Sequence, residues 1–175
     1  MKPMAPIRLA AFAASLLLCA CAPAPVAPMK PALPQVAPEQ RLAAVTAAAG
    51  NDDRELAVQP LRDPAVEDLR EDAATALAAR DYAAAAAALN QALLIVADDP
   101  AILQERAEVA LLQSDFERAE TLAQRGFDLG SKVGPLCRRH WATIEQARLA
   151  RGEADNAASA HAQIGTCTVP GFERM

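Results

Sequence analysis

The sequence predicts an all-α fold, an α-α superhelix of about three helical hairpins that follows a signal peptide and a proline-rich linker. Three observations carry this. First, the chain repeats itself at an offset of 34: Leu69 aligns with Leu103, Ala73 with Ala107, Ala76 with Ala110, Leu77 with Leu111, Asp81 with Asp115, Tyr82 with Phe116 and Ala85 with Ala119. A fixed period of that size marks a solenoid of helical units. Second, only six aromatics accompany abundant alanine, a composition for thin, closely packed helices rather than a deep core. Third, proline and turn residues punctuate the chain between apolar helical patterns.

In chain order, Lys2 and Arg8 precede an apolar run from Leu9 to Ala20. Its twelve residues are too few to span a bilayer and suit a signal-peptide core. The run closes with Leu18-Cys19-Ala20-Cys21, which resembles the lipobox of bacterial lipoproteins. That resemblance implies cleavage after residue 20 and lipidation of Cys21. Cys19 occupies a position where alanine or serine is commoner, and an ordinary secretory signal cut near Ala22 is the alternative. Among Gram-negative lipoproteins, Ala22 rather than aspartate after the cysteine implies sorting to the outer membrane.

The mature chain would keep all 22 acidic residues and lose Lys2 and Arg8, so its formal net charge moves from −5 to −7. Such a charge makes the chain a poor candidate for binding nucleic acid or anionic lipid electrostatically. Residues 22–38 hold six prolines in seventeen positions. That density favours an extended tether, reaching roughly 50 Å at about 3.1 Å per residue. The expected segments are a signal peptide over 1–20, a tether over 21–38 and a helical or irregular piece over 39–64. Repeats then occupy 65–99, 100–134 and 137–167, before a tail over 168–175. Within 39–64, Gln40–Ala49 reads as a short helix stopped by Gly50-Asn51.

The hairpins are expected at 65–79 with 82–96, at 101–113 with 116–129, and at 138–151 with 153–164. Arg80-Asp81, Ser114-Asp115 and Gly152 form the turns. Pro100 suits a first helical turn. These hairpins resemble the tetratricopeptide repeat over about 100 residues. Leu69, Ala73, Asp81-Tyr82, Ala85, Leu89 and Ala92 match the family pattern in the first. Leu103, Ala107, Asp115-Phe116, Ala119, Ala123 and Gly126 do so in the second, and Trp141, Ile144, Gly152-Glu153-Ala154, Ala157 and His161 in the third. The third is displaced by four residues, lacks the turn aromatic and has Glu145 where a small residue is usual.

Cys137 and Cys167 flank the third hairpin, whose antiparallel helices bring those two ends side by side. In an oxidising compartment they are expected to form a disulfide closing a 31-residue loop, worth about 3 kcal/mol. A zinc site from Cys137, His140, His161 and Cys167 is the competing reading, disfavoured by the compartment and by the distance of His161 from Cys167 along its helix. No cofactor or metal is expected.

No nucleophile elbow surrounds Ser114, Ser131 or Ser159, and no glycine-rich phosphate loop occurs, so nothing points to an enzyme. The resemblance implies instead a concave groove lined by the first helix of each hairpin. Arg70, Leu77, Gln104, Glu108, Leu111, Leu112, Arg139, Gln146 and Leu149 fall at its positions. Leu77, Leu111 and Leu149 would form an apolar ladder for an amphipathic helix or an extended apolar peptide. The same leucines could equally pack against the 40–49 segment or a second copy. The lysine-asparagine clamp that some family members use for C-terminal carboxylates is absent from these positions.

Functionally, the sequence reads as a non-catalytic adaptor on the periplasmic side of the outer membrane, held there by lipid at Cys21. It resembles lipid-anchored repeat proteins that assist secretins and pili, outer-membrane proteins or cell-wall hydrolases. A structural subunit of an envelope complex with no exchangeable ligand, and an accessory to a cell-wall enzyme, are the alternatives.

Overall fold

Seven helices follow one another in a computed structural model, which describes residues 36–50 and 63–168. They are α1 (Pro38–Ala49), α2 (Pro64–Ala78), α3 (Tyr82–Ile95), α4 (Pro100–Leu112), α5 (Phe116–Leu129), α6 (Pro135–Ala150) and α7 (Ala154–Thr166). The lipobox with Cys21, most of the tether, residues 51–62 and residues 169–175 lie outside the described residues. Among the described residues no helix is long and apolar enough to cross a membrane.

The helix starts follow a rule that the sequence repeats. Asp63, Asp81, Asp99 and Asp115 each precede a helix and accept a backbone N–H of its first turn, at 2.8 Å from Ala65, 2.9 Å from Ala84, 2.8 Å from Ala101 and 3.3 Å from Arg118. Each satisfies a donor that the helix itself cannot. Proline opens α1, α2, α4 and α6, where its missing N–H costs nothing.

The three hairpin turns share one closure. The N–H groups of Asp81, Asp115 and Glu153 reach back to the carbonyls of Ala76, Ala110 and Arg148 at 2.8, 2.9 and 3.0 Å. This six-to-one bond places the preceding residue in the left-handed region. Gly152 adopts it at φ 76°, but Arg80 at 59° and Ser114 at 60° carry a side chain there. Arg80→Gly and Ser114→Gly are each expected to raise stability by about 0.5–1 kcal/mol in denaturant titrations, and Gly152→Ala to lower it by a similar amount. The exposed Arg80–Glu39 ion pair, 3.9 Å long, adds only tenths to the balance.

Consecutive helices pack as antiparallel hairpins, α2 with α3, α4 with α5 and α6 with α7, stacked in series in the manner of tetratricopeptide repeats. Alanine and glycine stand where the helices touch: Ala85 and Ala92 on α3, Ala119, Ala123 and Gly126 on α5, Ala157 and Ala160 on α7. Small side chains let the axes approach, and Leu89, Ile102, Leu103 and Ile144 fill the space between layers, all essentially inaccessible.

The third hairpin compensates for its departures from the repeat. In place of a turn aromatic, Arg151 binds Glu153 at 2.7 Å, pairs with Glu120 and donates to the Phe116 carbonyl at 3.1 Å, tying the turn to the preceding hairpin. Glu145, too large for a small-residue position, meets His161 across the α6–α7 contact at 3.1 Å. The two irregular residues accommodate each other.

Candidate functional site

Helix α1 lies on the faces of α4 and α6, where the repeat resemblance places the groove. Its buried side chains are Arg41 and Val45, four residues apart on one face, with Ala48 half-buried beside them. Val45 enters a cluster formed by Ala110, Leu111, Ala119, Ala142 and Ala147, with Phe116 alongside. Polar contacts hold both ends. The Tyr82 hydroxyl donates to Glu39 at 3.0 Å near the start. The Arg41 guanidinium lies 5.2 Å from the centre of the Phe116 ring and donates to the Val36 carbonyl at 2.5 Å. At the other end Arg138 donates twice to the Ala49 carbonyl, at 2.9 and 2.6 Å, meeting one of the carbonyls a helix leaves unpaired at its C-terminus.

The nine groove positions therefore have different surroundings. Leu111 is fully buried under α1, and Leu112 is buried on the same helix. Leu77 is half-buried against the α2–α3 cluster, and Leu149 is 46% exposed. The leucines do not form one continuous open ladder in this arrangement; α1 covers its middle. Arg70 forms a two-point pair with Glu105 and a further bond to Glu67 at 2.8 Å, and these partners raise its already high pKa. Gln146 is half-buried on α6.

Gln104, Glu108 and Arg139 come together in one network, with Gln104 buried and Glu108 and Arg139 half-buried. The Gln104 amide donates to the Thr143 hydroxyl at 2.7 Å and to Glu108 at 2.8 Å. Arg139 engages both Glu108 carboxylate oxygens, at 2.9 and 2.6 Å. The Gln104 Oε1 then faces His140 Nδ1 at 2.7 Å, so that ring nitrogen carries the proton and donates. His140 Nε2 is buried with no partner. This network spans α4 and α6 and is structural: it fixes the spacing of the two helices under α1.

Burial first, then the charges of Arg139 and Lys132, hold His140 down to a pKa of about 4 from 6.5. A folded pKa below the unfolded one means the unfolded state binds the extra proton as pH falls through 6.5. Stability is expected to be constant above about pH 7 and to drop by about 2 kcal/mol by pH 5. The carboxylates with lowered pKa, Glu39 and Glu153, add their own losses only below about 4.5. Denaturant titrations at pH 7, 6 and 5 check this, with His140→Gln expected to be less stable at pH 7 but flat across that interval.

Cys137, in the first turn of α6, is bonded to Cys167, which caps α7, with their Cα atoms 5.7 Å apart. Both sulfurs are therefore committed, while His140 and His161 serve Gln104 and Glu145, and the described residues hold no grouping of His, Cys, Asp and Glu suited to a metal ion. Sequence reasoning missed Arg41, Val45 and Arg138, the residues that seat α1. The usable signal was Arg41-x₃-Val45 at helical spacing within an otherwise alanine-rich segment.

No protein-family model matches the sequence, and neither does any curated protein. Among solved structures, the globular C-terminal domain of LpoP from P. aeruginosa is similar at 31% identity and a TM-score of 0.56, over 60% of this chain and 99% of that domain. At this identity and coverage, the helical domain of this chain belongs to the same family of all-helical domains as the C-terminal domain of LpoP.

Proposed function

We propose that this chain is a non-catalytic adaptor, lipid-anchored at Cys21 to the outer membrane, whose helical domain binds an envelope protein in the periplasm. The candidate partners are assembly factors of the envelope: secretin or pilus components, outer-membrane protein insertion machinery, or a cell-wall enzyme. The observation that carries the reading is the 31% identity to nearly the whole globular C-terminal domain of LpoP. The lipobox-like Leu18-Cys19-Ala20-Cys21 and the proline-rich stretch behind it supply the anchor and the reach. Stacked hairpins present side chains along an extended surface, which suits recognition of another chain.

The anchor and the adaptor role separate experimentally. Cys21→Ser is expected to move the protein from the outer-membrane fraction to the soluble periplasm, with loss of the lipid mass on the intact protein. Retention in the membrane by Cys21→Ser would sink the anchor. Affinity capture from envelope extracts, followed by reconstitution with the purified partner, tests the adaptor. A partner that never exchanges with free protein would favour the structural-subunit alternative.

A further inference from the structure

We propose that α1 is a displaceable internal plug of the α4–α6 face, and that the envelope partner reaches this face with a helix of α1's own chemistry. That chemistry is specific. It consists of a cation, a β-branched residue four positions later and a small residue three beyond, on one face of a helix that ends in open carbonyls.

The geometry separates α1 from the other six helices. Each of α2 to α7 packs within a hairpin whose two helices are joined by a tight turn of three residues. Among the described residues α1 has no hairpin partner, and no side chain caps its start. Twelve residues of helix are marginal alone, so its order depends on docking. Yet on α1 docking fully buries only Val45 and largely buries Arg41, and it fixes the ends with polar bonds from Tyr82 and Arg138. Contacts of this kind are readily exchanged for those of an equivalent helix. The surface beneath, formed by Ala110, Leu111, Ala142 and Ala147, is apolar and belongs to hairpins that are complete without α1.

Two fixed features read the occupant's polarity. Phe116 receives a cation at one end of the footprint and Arg138 receives a helix C-terminus at the other. A helix seated in reverse would present N–H groups to Arg138, donor against donor. Because α1 is covalently attached, it competes at a high effective concentration, and a partner gains access only by matching or exceeding its contacts. This displacement presupposes the adaptor reading for its competitor, but the following test contains no envelope partner and can fail independently of that reading.

The test uses the mature chain with Cys21→Ser and a fluorescent peptide of residues 36–50. Val45→Asp is expected to release α1 while leaving cooperative unfolding of the remaining helices intact. That variant should bind the peptide at least 100-fold more tightly than the wild type, whose face is filled. Adding Leu111→Asp should abolish the binding, and adding Arg138→Ala should weaken it about 10-fold. In the wild type, amide hydrogens of α1 should exchange ahead of those in α4 and α6. A folded Val45→Asp protein that fails to bind peptide overturns the proposal, as does α1 exchange that occurs only with global unfolding. So does a wild-type dimer by light scattering in which α1 occupies the second copy.

Discussion

Removing the Cys137–Cys167 bridge, by Cys137→Ser with Cys167→Ser or by reduction, is expected to cost about 3–4 kcal/mol of stability. The bond spans 30 residues of sequence, and cross-linking that separation withdraws about that much conformational entropy from the unfolded chain. For a domain of about 100 residues the loss corresponds to a fall on the order of 15 °C in Tm. The damage should concentrate at one end of the solenoid. Among the described residues no hairpin follows α7, and no side chain caps its start. The Gly134 N–H bonds the Cys167 carbonyl at 2.8 Å, so the loop before α6 and the end of α7 are held as one piece. Arg138 sits beside Cys137 and holds the end of α1. Hydrogen exchange in the doubly substituted protein should therefore accelerate first over 135–140 and 160–167, then in α1, while α2–α3 stay protected. Equal stability with and without the bridge would show that α6–α7 packing is self-sufficient.

The local rules of this fold were legible because each resides in a few neighbouring residues. The 34-residue echo and the small residues at helix contacts act within one hairpin or between neighbours, and the helices pack as consecutive antiparallel hairpins. The sequence offered packing of the groove leucines against the 40–49 segment only as one of several alternatives, and Val45 beside Leu111 is that alternative. The buried face of α1 carries an arginine in its first half, which blurs the amphipathic pattern that would announce docking, and its side-chain hydrogen bonds to the other helices lie 43 and 89 residues away in sequence. The fates of Leu111 and Leu149 make the same point. Both occupy the same place in the repeat, yet one is fully buried and the other 46% exposed, because a remote helix covers only one of them. Repeat position sets the direction of a side chain. What meets it there depends on elements outside the repeat.

Polar residues in the interior were the other blind spot. Gln104 read as a groove residue and His140 as a ligand in the competing zinc reading, whereas they are hydrogen-bonded partners between α4 and α6. Their pairing also gives Gly126 a reason that the repeat pattern alone does not supply. A Cβ built there would lie 2.5 Å from His140 Cε1 and 3.2 Å from the Pro100 carbonyl oxygen. His140 cannot swing aside freely, because its Nδ1 is held 2.7 Å from Gln104 Oε1 in a site without solvent.

Gly126→Val is accordingly expected to destabilise the protein by about 3 kcal/mol. Overpacking of a rigid site costs about 1–3 kcal/mol, and a displaced ring leaves the buried Gln104 oxygen unpaired at a similar cost. The gain from replacing glycine in a helix, under about 1 kcal/mol, offsets only part of this. His140→Ala alone should also destabilise, through the space it leaves and the unpaired Gln104. Combined, the two changes should cost about 1–2 kcal/mol less than their sum, since the ring that clashes is gone and the valine methyls enter its space. Denaturant titrations of the two single variants and the double variant measure that coupling. Strict additivity, or a Gly126→Val protein within about 0.5 kcal/mol of wild type, would mean the ring yields easily. In that case the Gln104–His140 bond is not what sets the distance between α4 and α6, and the floor beneath α1 must be held by its alanines instead.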